Sequence, residues 1–282
     1  MERVGVVYGM PEVEYHAPKD ELSSTGAKLL LESPAKFKYQ VLDGHRVHRA
    51  GFDLGTAVHT KVLGVGGRFI TYPDEHLTKS GNVSTKAETV AWETEQRAAG
   101  HIILTPNEGR TVDKMAEAVK ANPVARKLFD RPGHPEVSVF DEYLGVKRRG
   151  RFDYLPDDGG IVVDLKTTVD ASKAGFARVA ARYGYHVQRG HYLDILKRLG
   201  READMLLVAV EKEPPYLVQV HRLSPEFAEM GETEALAAVD TYRRCMDSGV
   251  WPGYPDEVAM LEPPMFAVYD YQDKYEREEM QI

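Results

Sequence analysis

Apolar positions recur along this chain with two different spacings, which predict strands in some segments and helices in others. Residues 136–144, 205–210 and 216–221 are short runs rich in apolar residues, which is typical of strands. Longer segments carry apolar residues three or four positions apart, the spacing of one helical face. Predicted helices therefore cover these ranges: 22–42, 54–63, 85–99, 107–120, 171–182, 185–199 and 225–247.

The order of these elements predicts a fold that combines helices and strands. Helices come first, a group of three strands follows, and further helices and strands complete the chain. This succession favours an α/β (α+β) fold in which helices flank a mixed central β-sheet. We expect Pro34 to bend or divide the first helix, and residues 64–82 to form a loop. A single domain over residues 1–255, with a helical N-terminal part, would then precede an acidic C-terminal tail at 256–282.

The segment GRFDYLPDDGGIVVDLKTT predicts a β-hairpin with charged residues on both strands. The Asp-Gly pair at 158–159 indicates a type I′ turn, which needs positive φ at both central positions. With the turn centred there, the antiparallel register places Asp153 opposite Asp164, and Arg151 opposite Lys166. Since side chains alternate between the two faces of a strand, Asp164 and Lys166 point to the same face.

Two carboxylates in facing positions require an explanation. Facing residues have Cβ atoms roughly 4.5–5.5 Å apart, and like charges so placed are destabilising. The alternative is that both aspartates are solvated residues at strand ends. Against it, the apolar run at 161–163 marks the second strand as buried. The pattern therefore favours a bound divalent cation between Asp153 and Asp164, beside the Lys166 ammonium.

Composition narrows the class of protein. The chain has 282 residues, of which 43% are hydrophobic and 28% charged, as in an ordinary globular protein. Its one cysteine, Cys245, excludes an internal disulfide and any four-cysteine cluster. No apolar run is long enough to span a bilayer, and the N-terminus does not resemble a secretory signal. We therefore expect a cytoplasmic protein without a membrane partner.

The net charge of −8 argues against a nucleic-acid partner, but basic residues are clustered locally. An acidic exterior with a basic lining would suit a protein that admits DNA into a defined channel. For any single residue, ordinary solvated surface explains the charge equally well. The candidate DNA contacts are these arginines: Arg46, Arg49, Arg149, Arg151, Arg178, Arg182 and Arg189.

Two further segments carry candidate site residues. LGTAVHT places His59 on a predicted helix whose small residues allow close packing against a sheet. HVQRGHY places Gln188 and Tyr192 four residues apart, hence on one helical face. Each also has a plain structural interpretation: His59 as a hydrogen-bonded interior histidine, and Gln188 with Tyr192 as part of a packed helix stripe.

Taken together, these segments resemble the PDDEXK nuclease superfamily, in the branch that includes RecB-like and Cas4-like nucleases. The resemblance is closer to the exonuclease domain of RecE, bacterial exonuclease VIII, and its phage relatives. Besides the hairpin and the two helical motifs, it includes LSSTGAKLLLESPAKFKYQ, ILTPNEGRTVDKMAEAV and WPGYP, and it spans residues 15–255. Single motifs are weak evidence, but several in the right order are specific.

The resemblance assigns roles to particular residues. It implies a metal site made of His59, Asp153, Asp164 and the Leu165 backbone carbonyl. It implies active-site roles for four more side chains: Lys166, Glu136, Gln188 and Tyr192. Lys166 would orient or deprotonate the attacking water, and Glu136 would belong to the outer shell or to a second metal. Gln188 and Tyr192 would position the active-site loop or the DNA backbone. Asp164 stands where many superfamily members carry Glu, and its shorter side chain still supplies a hard oxygen.

The same resemblance implies a Mg²⁺- or Mn²⁺-dependent exodeoxyribonuclease, with one or two ions per site. Hard oxygen ligands with one histidine suit these ions. The implied substrate is the end of linear double-stranded DNA, degraded 5′→3′ to leave 3′ single-stranded overhangs for recombination. The implied partners are a RecT-like annealing protein and further copies of the chain in a ring. Two alternatives remain: a RecB-like or Cas4-like nuclease of other polarity, and a catalytically inactive DNA-binding protein on a nuclease fold.

Overall fold

A seven-stranded mixed sheet forms the centre of the computed structural model, which describes residues 3–45 and 51–276. In chain order the strands are β1 (Gly5–Val7), β2 (Leu22–Ser23), β3 (Phe69–Thr71), β4 (Ile102–Leu104), β5 (Gly133–Tyr143), β6 (Val146–Pro156), β7 (Ile161–Thr168), β8 (Asp204–Glu211) and β9 (Val218–Arg222). The large sheet has the order β1-β5-β6-β7-β8-β9, with β2 added beside β6, while β3 and β4 form a separate parallel pair.

Helices cover both faces of the large sheet. In chain order they are α1 (Glu12–His16), α2 (Ser24–Glu32), α3 (Pro34–Phe37), α4 (Gly51–Leu63), α5 (Ala87–Ala98), α6 (Pro106–Ala121), α7 (Pro123–Phe129), α8 (Lys173–Arg182), α9 (Tyr185–Arg198), α10 (Pro225–Ser248) and α11 (Met265–Tyr271). Short π-helical turns at Lys38–Leu42 and Gln272–Glu276 and a 3₁₀ turn at Asp74–His76 complete the described elements.

The core consists of apolar layers on the two faces of the sheet. On one face, Phe152 and Val162 pack with Ile195 of α9. On the other, Leu165 packs with Val58 of α4 and with residues of α6. A third cluster joins α2, α9 and α10. The predicted fold class, a mixed central sheet flanked by helices, is therefore confirmed.

Local capping explains where several helices begin. The Ser23 hydroxyl accepts a hydrogen bond from the Gly26 N–H at 3.2 Å, which fixes the start of α2. Ser33 caps α3 directly after α2, with Pro34 at its first position. The predicted single helix over 22–42 is thus wrong: strand β2 precedes it, and Pro34 divides the remainder as expected. The sequence interpretation also missed α7, β1 and the β3–β4 pair, because these elements are short.

The hairpin between β6 and β7 has the expected register but a different turn. The strands pair at Tyr154 and Val163, which makes Asp153 and Asp164 the next facing positions. The predicted type I′ turn is wrong, because Gly159 has positive φ (67°) but Asp158 does not. The turn is instead closed by the Gly159 N–H, which donates to the Pro156 carbonyl at 3.0 Å.

The described chain divides into two compact units, Met1–Trp251 and Pro252–Ile282. The second unit contains α11 and the final π-helical turn, and several of its apolar side chains, among them Val258 and Leu261, are exposed. None of the helices within residues 3–45 and 51–276 combines the length and apolar character needed to cross a bilayer.

Helices α9 and α10 cross at two glycines. A Cβ atom on Gly231 would lie 2.1 Å from the His186 carbonyl oxygen, and one on Gly190 would lie 2.4 Å from the Gly231 carbonyl oxygen. Both neighbours are backbone atoms, so a side chain at either position would force the helices apart. The close approach matters for function because α9 also supplies side chains to the cleft described below.

We therefore predict that Gly231→Ala lowers the free energy of unfolding by about 1–3 kcal/mol through overpacking, although alanine ordinarily stabilises a helix. Urea unfolding followed by circular dichroism measures the change. Gly160→Ala is the matched control, because a Cβ there meets nothing within 4 Å and its effect should be small. Equal stability of Gly231→Ala and the wild type would contradict the close crossing.

Candidate functional site

The candidate site lies where β7 separates from β6. In the described chain, the only ladder pair between these strands is Tyr154–Val163. Nearer its start, β6 instead pairs with the short strand β2, at Arg148 and Arg149. Along one edge, strand β6 therefore pairs first with β2 and then with β7. The residues between the two pairings face an opening in the sheet. We call this opening the fork; it contains Asp153 of β6 and Asp164 of β7.

Asp153 replaces the missing ladder hydrogen bond at the fork. Its Oδ2 accepts a hydrogen bond from the Leu165 backbone N–H at 2.6 Å. His59 Nδ1, brought by α4, lies 3.4 Å from the same oxygen. Helix α4 contacts β7, and a Cβ on its Gly55 would meet Thr167 Oγ1 at an ordinary 3.6 Å. The predicted approach of His59 to Asp153 is thus present.

Asp164 is almost fully buried, with a side-chain exposure of 2%. Gln188 of α9 donates from Nε2 to Asp164 Oδ1 at 2.7 Å. Lys166 Nζ lies 2.5 Å from Asp164 Oδ2, on the same face of β7. Two oriented partners from different elements therefore fix this carboxylate in the interior, beside Asp153.

Glu136 adds a third carboxylate at the same level of the sheet. The ladder between β5 and β6 is continuous except at Glu136, which faces Asp153 with a left-handed φ of 51°. Its Oε2 lies 3.7 Å from Arg151 Nη1. On β6, Phe152 packs on the α9 side of the sheet while Tyr154 packs on the α4 side. Because residues two apart on a regular strand share a face, the β6 backbone is irregular between them. Backbone strain of this kind is typical of functional positions.

The pKa values of the carboxyl groups at the fork are shifted by burial and by the charges around them. Burial, and then the charge of Asp153, raises the pKa of Glu136 to about 7. Burial and Asp153 likewise raise the pKa of Asp164, against the opposing effect of Lys166. Burial alone would raise the pKa of Asp153, but His59, Lys166 and the Leu165 N–H lower it below its ordinary value. The protein thus retains two carboxyl groups that are costly to ionise without an added cation.

The carboxylates at the fork in turn raise the pKa values of the neighbouring cations. Burial alone would lower the pKa of Lys166, but the charges of Asp164 and Asp153 raise it above the ordinary lysine value. Burial would also lower the pKa of His59, and its contact with Asp153 raises it instead. Lys166 is therefore held in its protonated form by the carboxylates around it.

The donor set fits a hard divalent cation, although its side chains are not gathered around one point. Carboxylate oxygens, a backbone carbonyl and one imidazole are ligands that suit Mg²⁺ or Mn²⁺. Within the described residues, no group of three or more His, Cys, Asp or Glu side chains is already arranged to hold a metal ion. In the structure the carboxylates are instead engaged by Leu165, Gln188 and Lys166.

An open cleft of about 1710 Å³ extends from the fork to the surface. Its walls come from α1, α2, α4, β5, β7 and the α8–α9 connection. Charged groups of both signs line it, among them Glu136, Arg151, Lys166 and Arg182. A polymer strand could enter such a cleft from the surface and reach Lys166.

The predicted DNA-binding arginines differ in burial and in their distance from the cleft. Arg149 is buried at 1% exposure and donates to the Tyr15 and Pro18 carbonyls, so it cannot touch DNA and that prediction is wrong. Arg189 pairs with Asp204 and Glu232 and acts between helices and sheet.

The remaining arginines divide between cleft and exterior. Arg151 and Arg182 line the cleft, whereas Arg178 is exposed on α8 and does not. Arg151 donates to Ser138 Oγ at 3.0 Å and to the Met10 carbonyl at 2.9 Å, instead of standing in a ladder pair with Lys166. The predicted contacts Arg46 and Arg49 lie outside the described residues.

Tyr192 lies below the sheet and not in the cleft. It is 8% exposed and makes an edge-to-face contact with Phe152, with ring centroids 5.5 Å apart. A Cβ on Gly150 would lie 2.8 Å from its ring, so the strand packs directly on the tyrosine. In the structure Tyr192 supports the β6 strand, and its predicted role in positioning the active-site loop or the DNA backbone stays a prediction.

Two cleft residues were missed by sequence reasoning. Lys28 of α2 lines the cleft, as does Tyr185 at the start of α9. The available signal was a single charged residue inside the otherwise apolar run GAKLLL. A lysine at that position is hard to interpret without knowing that α2 borders the cleft.

Residues 23–264 of the chain match a known protein family. This stretch matches the family described as a PDDEXK-like domain of unknown function (DUF3799). The match covers well over half of the 282 residues. No curated protein matches the sequence.

Two solved structures resemble the chain in shape. A candidate exonuclease from Eubacterium rectale superposes with a TM-score of 0.62 at 13% identity, covering 93% of this chain and 98% of that chain. A phage-related exonuclease from Haemophilus somnus 129PT superposes with a TM-score of 0.33 at 12% identity, covering 82% of this chain and 96% of that chain. Only the first superposition is close enough to show a shared fold, and neither identity is high enough to transfer an activity.

The pKa of Glu136 yields a prediction about stability. Because the folded protein holds a proton at Glu136 that the unfolded chain releases, stability should fall as the pH rises through 7. In excess EDTA, Glu136→Gln should raise the free energy of unfolding by about 2–3 kcal/mol at about pH 8. At about pH 4, where both states carry the proton, the variant and the wild type should agree.

Urea titrations at the two pH values measure this difference. Glu142→Gln, at an exposed position of the same strand, is the control and should change stability little at either pH. A Glu136→Gln effect of the same size at both pH values would show that Glu136 is not an uncompensated buried charge.

Proposed function

Because this chain belongs to the family of PDDEXK-like domains, we propose that it is a divalent-metal-dependent deoxyribonuclease. The observation that carries the proposal is the meeting of Asp153, Asp164 and Lys166 at the fork, directly beside an open cleft that Lys166 and Leu165 line. Two carboxylates and an ammonium beside a polymer-sized opening suit the hydrolysis of a phosphodiester. The nuclease-like fold supports the same class of reaction.

The metal-binding groups would be His59, Asp153, Asp164 and the Leu165 backbone carbonyl. When bound there, Mg²⁺ or Mn²⁺ would lower the pKa of a coordinated water and neutralise charge on the phosphoryl oxygens. Gln188 would hold Asp164 in its orientation through the hydrogen bond described above. Glu136 would serve either a second ion or the acid–base chemistry of the water.

The pKa shifts support a division of roles between Lys166 and Glu136. A lysine whose pKa is raised stays protonated at neutral pH, which favours stabilisation of the oxyanion over removal of a proton. A carboxyl group with a pKa of about 7 is well suited to accept a proton near neutral pH. In this proposal, water loses its proton to Glu136 as its oxygen bonds to phosphorus, the bond from phosphorus to the leaving sugar oxygen breaks, and that oxygen takes a proton from solvent.

Finer aspects of the proposal rest on the resemblance to the RecE exonuclease domain. They are 5′→3′ degradation of linear duplex ends in the cytoplasm, production of 3′ overhangs for recombination, a RecT-like annealing partner and assembly into a homo-oligomeric ring. Retention of charged groups at the fork favours an active enzyme over a DNA-binding protein that has lost hydrolysis.

Activity on linear duplex DNA should require Mg²⁺ or Mn²⁺ and should stop in EDTA. Asp164→Ala and Lys166→Ala should each lower the rate on the order of 100-fold or more, because each removes charge from the reacting centre. Both variants should still bind DNA in an electrophoretic mobility assay. Lys120→Ala, an exposed change on α6, is the control and should digest at the wild-type rate. Digestion by Lys166→Ala at the wild-type rate would refute the role given to Lys166.

Polarity can be measured independently with duplexes labelled at either the 5′ or the 3′ end. For 5′→3′ degradation, the 5′ label should appear first in mononucleotides or short products, while the 3′-labelled strand shortens gradually. Early release of the 3′ label would instead indicate the alternative of a RecB-like or Cas4-like nuclease. Binding without any digestion would support the inactive alternative.

A further inference from the structure

Lys28 lies on the face of α2 that borders the cleft. Thr25, Lys28, Leu29 and Glu32 all line the cleft, at the spacing of one helical face. Helix α2 is anchored behind this face by its apolar contacts with α9 and α10. The backbone that carries Lys28 is therefore held in place by the core.

The aliphatic part of Lys28 occupies a space that a glycine leaves open. A Cβ on Gly184 would lie 2.7 Å from Lys28 Cδ, and Gly184 has a φ of 63° at the start of α9. With no side chain there, the lysine reaches across the helix start to Tyr185. This packing distinguishes Lys28 from a freely solvated surface lysine.

Tyr185 faces two ammonium groups. Lys28 Nζ lies 6.0 Å from the centroid of the Tyr185 ring, and Lys166 Nζ lies 4.8 Å from the same centroid. Both distances are those of cation–π contacts. One aromatic ring thus places Lys28 beside the lysine at the fork.

Within the part of the chain that the structure describes, Lys28 lacks an anionic partner of its own. Among the described residues, no carboxylate forms an ion pair with it, and Glu32 on the same face pairs with Lys36 instead. Burial and the charge of Lys166 lower the pKa of Lys28 to about 8, against the opposing charge of Asp164. A half-buried cation beside another cation is unfavourable unless an anion joins them.

We propose that Lys28 is a substrate-binding residue whose ammonium contacts a backbone phosphate of the nucleic-acid strand that occupies the cleft. Tyr185 positions Lys28 next to Lys166, so that two cations face the polyanion from one wall. The inference rests on the proposed nuclease function, since it assumes a polynucleotide in this cleft. It extends the candidate site from the fork onto α2.

Binding in EDTA tests the contact without hydrolysis. A fluorescent DNA oligonucleotide is titrated with protein at salt concentrations between about 50 and 200 mM, and the logarithm of the association constant is plotted against the logarithm of salt. Loss of one phosphate contact reduces the magnitude of the slope by about 0.7–0.9. Lys28→Gln should show this reduction, whereas Lys28→Arg and the control Lys120→Gln should keep the wild-type slope. A wild-type slope for Lys28→Gln would overturn the inference.

The pH dependence of hydrolysis gives a second readout that a merely structural lysine would not change. The charged and titratable groups around Lys28 are Lys166 and Asp164 of β7, Tyr185 of α9 and Glu32 of α2. As the pH rises above about 8, the wild type should lose kcat/KM because Lys28 loses its proton. Lys28→Arg should retain kcat/KM there, and Lys28→Gln should be lower by about tenfold at neutral pH.

The nuclease function and the role of Lys28 can be refuted separately. Absence of hydrolysis by the wild type with Mg²⁺ or Mn²⁺ would refute the nuclease function, while the salt slopes would still decide whether Lys28 contacts phosphate. Hydrolysis by the wild type together with unchanged slope and rate for Lys28→Gln would refute the role of Lys28 alone.

Discussion

Negative charge confined at the fork is the constraint on which the candidate site depends. Asp153 and Asp164 occupy facing positions on strands that separate, and Glu136 stands at the same level on the next strand. Water cannot solvate all three carboxylates fully, because Asp164 is buried. Their ionisation therefore needs cations, and the protein supplies Lys166 and His59 close by. A carboxyl pKa of about 7 at Glu136 indicates that this compensation is incomplete.

The surrounding fold serves to hold that charge in place. The switch of β6 from β7 to β2 creates the opening, and the Leu165 N–H freed by the switch binds Asp153. Helix α9 orients Asp164 through Gln188, and its position depends on the glycine contacts with α10. Helix α2 lines the cleft and brings Lys28 to the Tyr185 ring that Lys166 also contacts. The packing of α2, α9 and α10 thus determines which charged side chains face the cleft.

Much of this arrangement could be predicted from the sequence, because its main determinants are local. The apolar run at 161–163 and the adjoining turn were sufficient to place Asp153 and Asp164 in facing register, although the turn type was wrong. The i, i+4 spacing correctly put Gln188 and Tyr192 on one face of a helix. That spacing could not show that Gln188 reaches Asp164 while Tyr192 packs under Phe152.

What could not be predicted depends on contacts between distant parts of the chain. Arg149 belongs to a basic cluster in the sequence, but it is buried because β2 and the preceding segment cover it and supply carbonyl acceptors. Lys28 precedes Lys166 by more than a hundred residues, and the two ammonium groups meet at the Tyr185 ring. Residue spacing in a single sequence gives no information about such contacts between distant parts of the chain.

The proposed nuclease chemistry requires that the carboxylates at the fork hold a divalent cation. Crystals of the wild-type protein grown with Mn²⁺ and a DNA end would test it most directly, through anomalous difference density at the manganese edge. We expect a peak within coordination distance of both Asp153 and Asp164, and its loss in Asp164→Ala. Fully occupied DNA with no anomalous peak between these two side chains would contradict it.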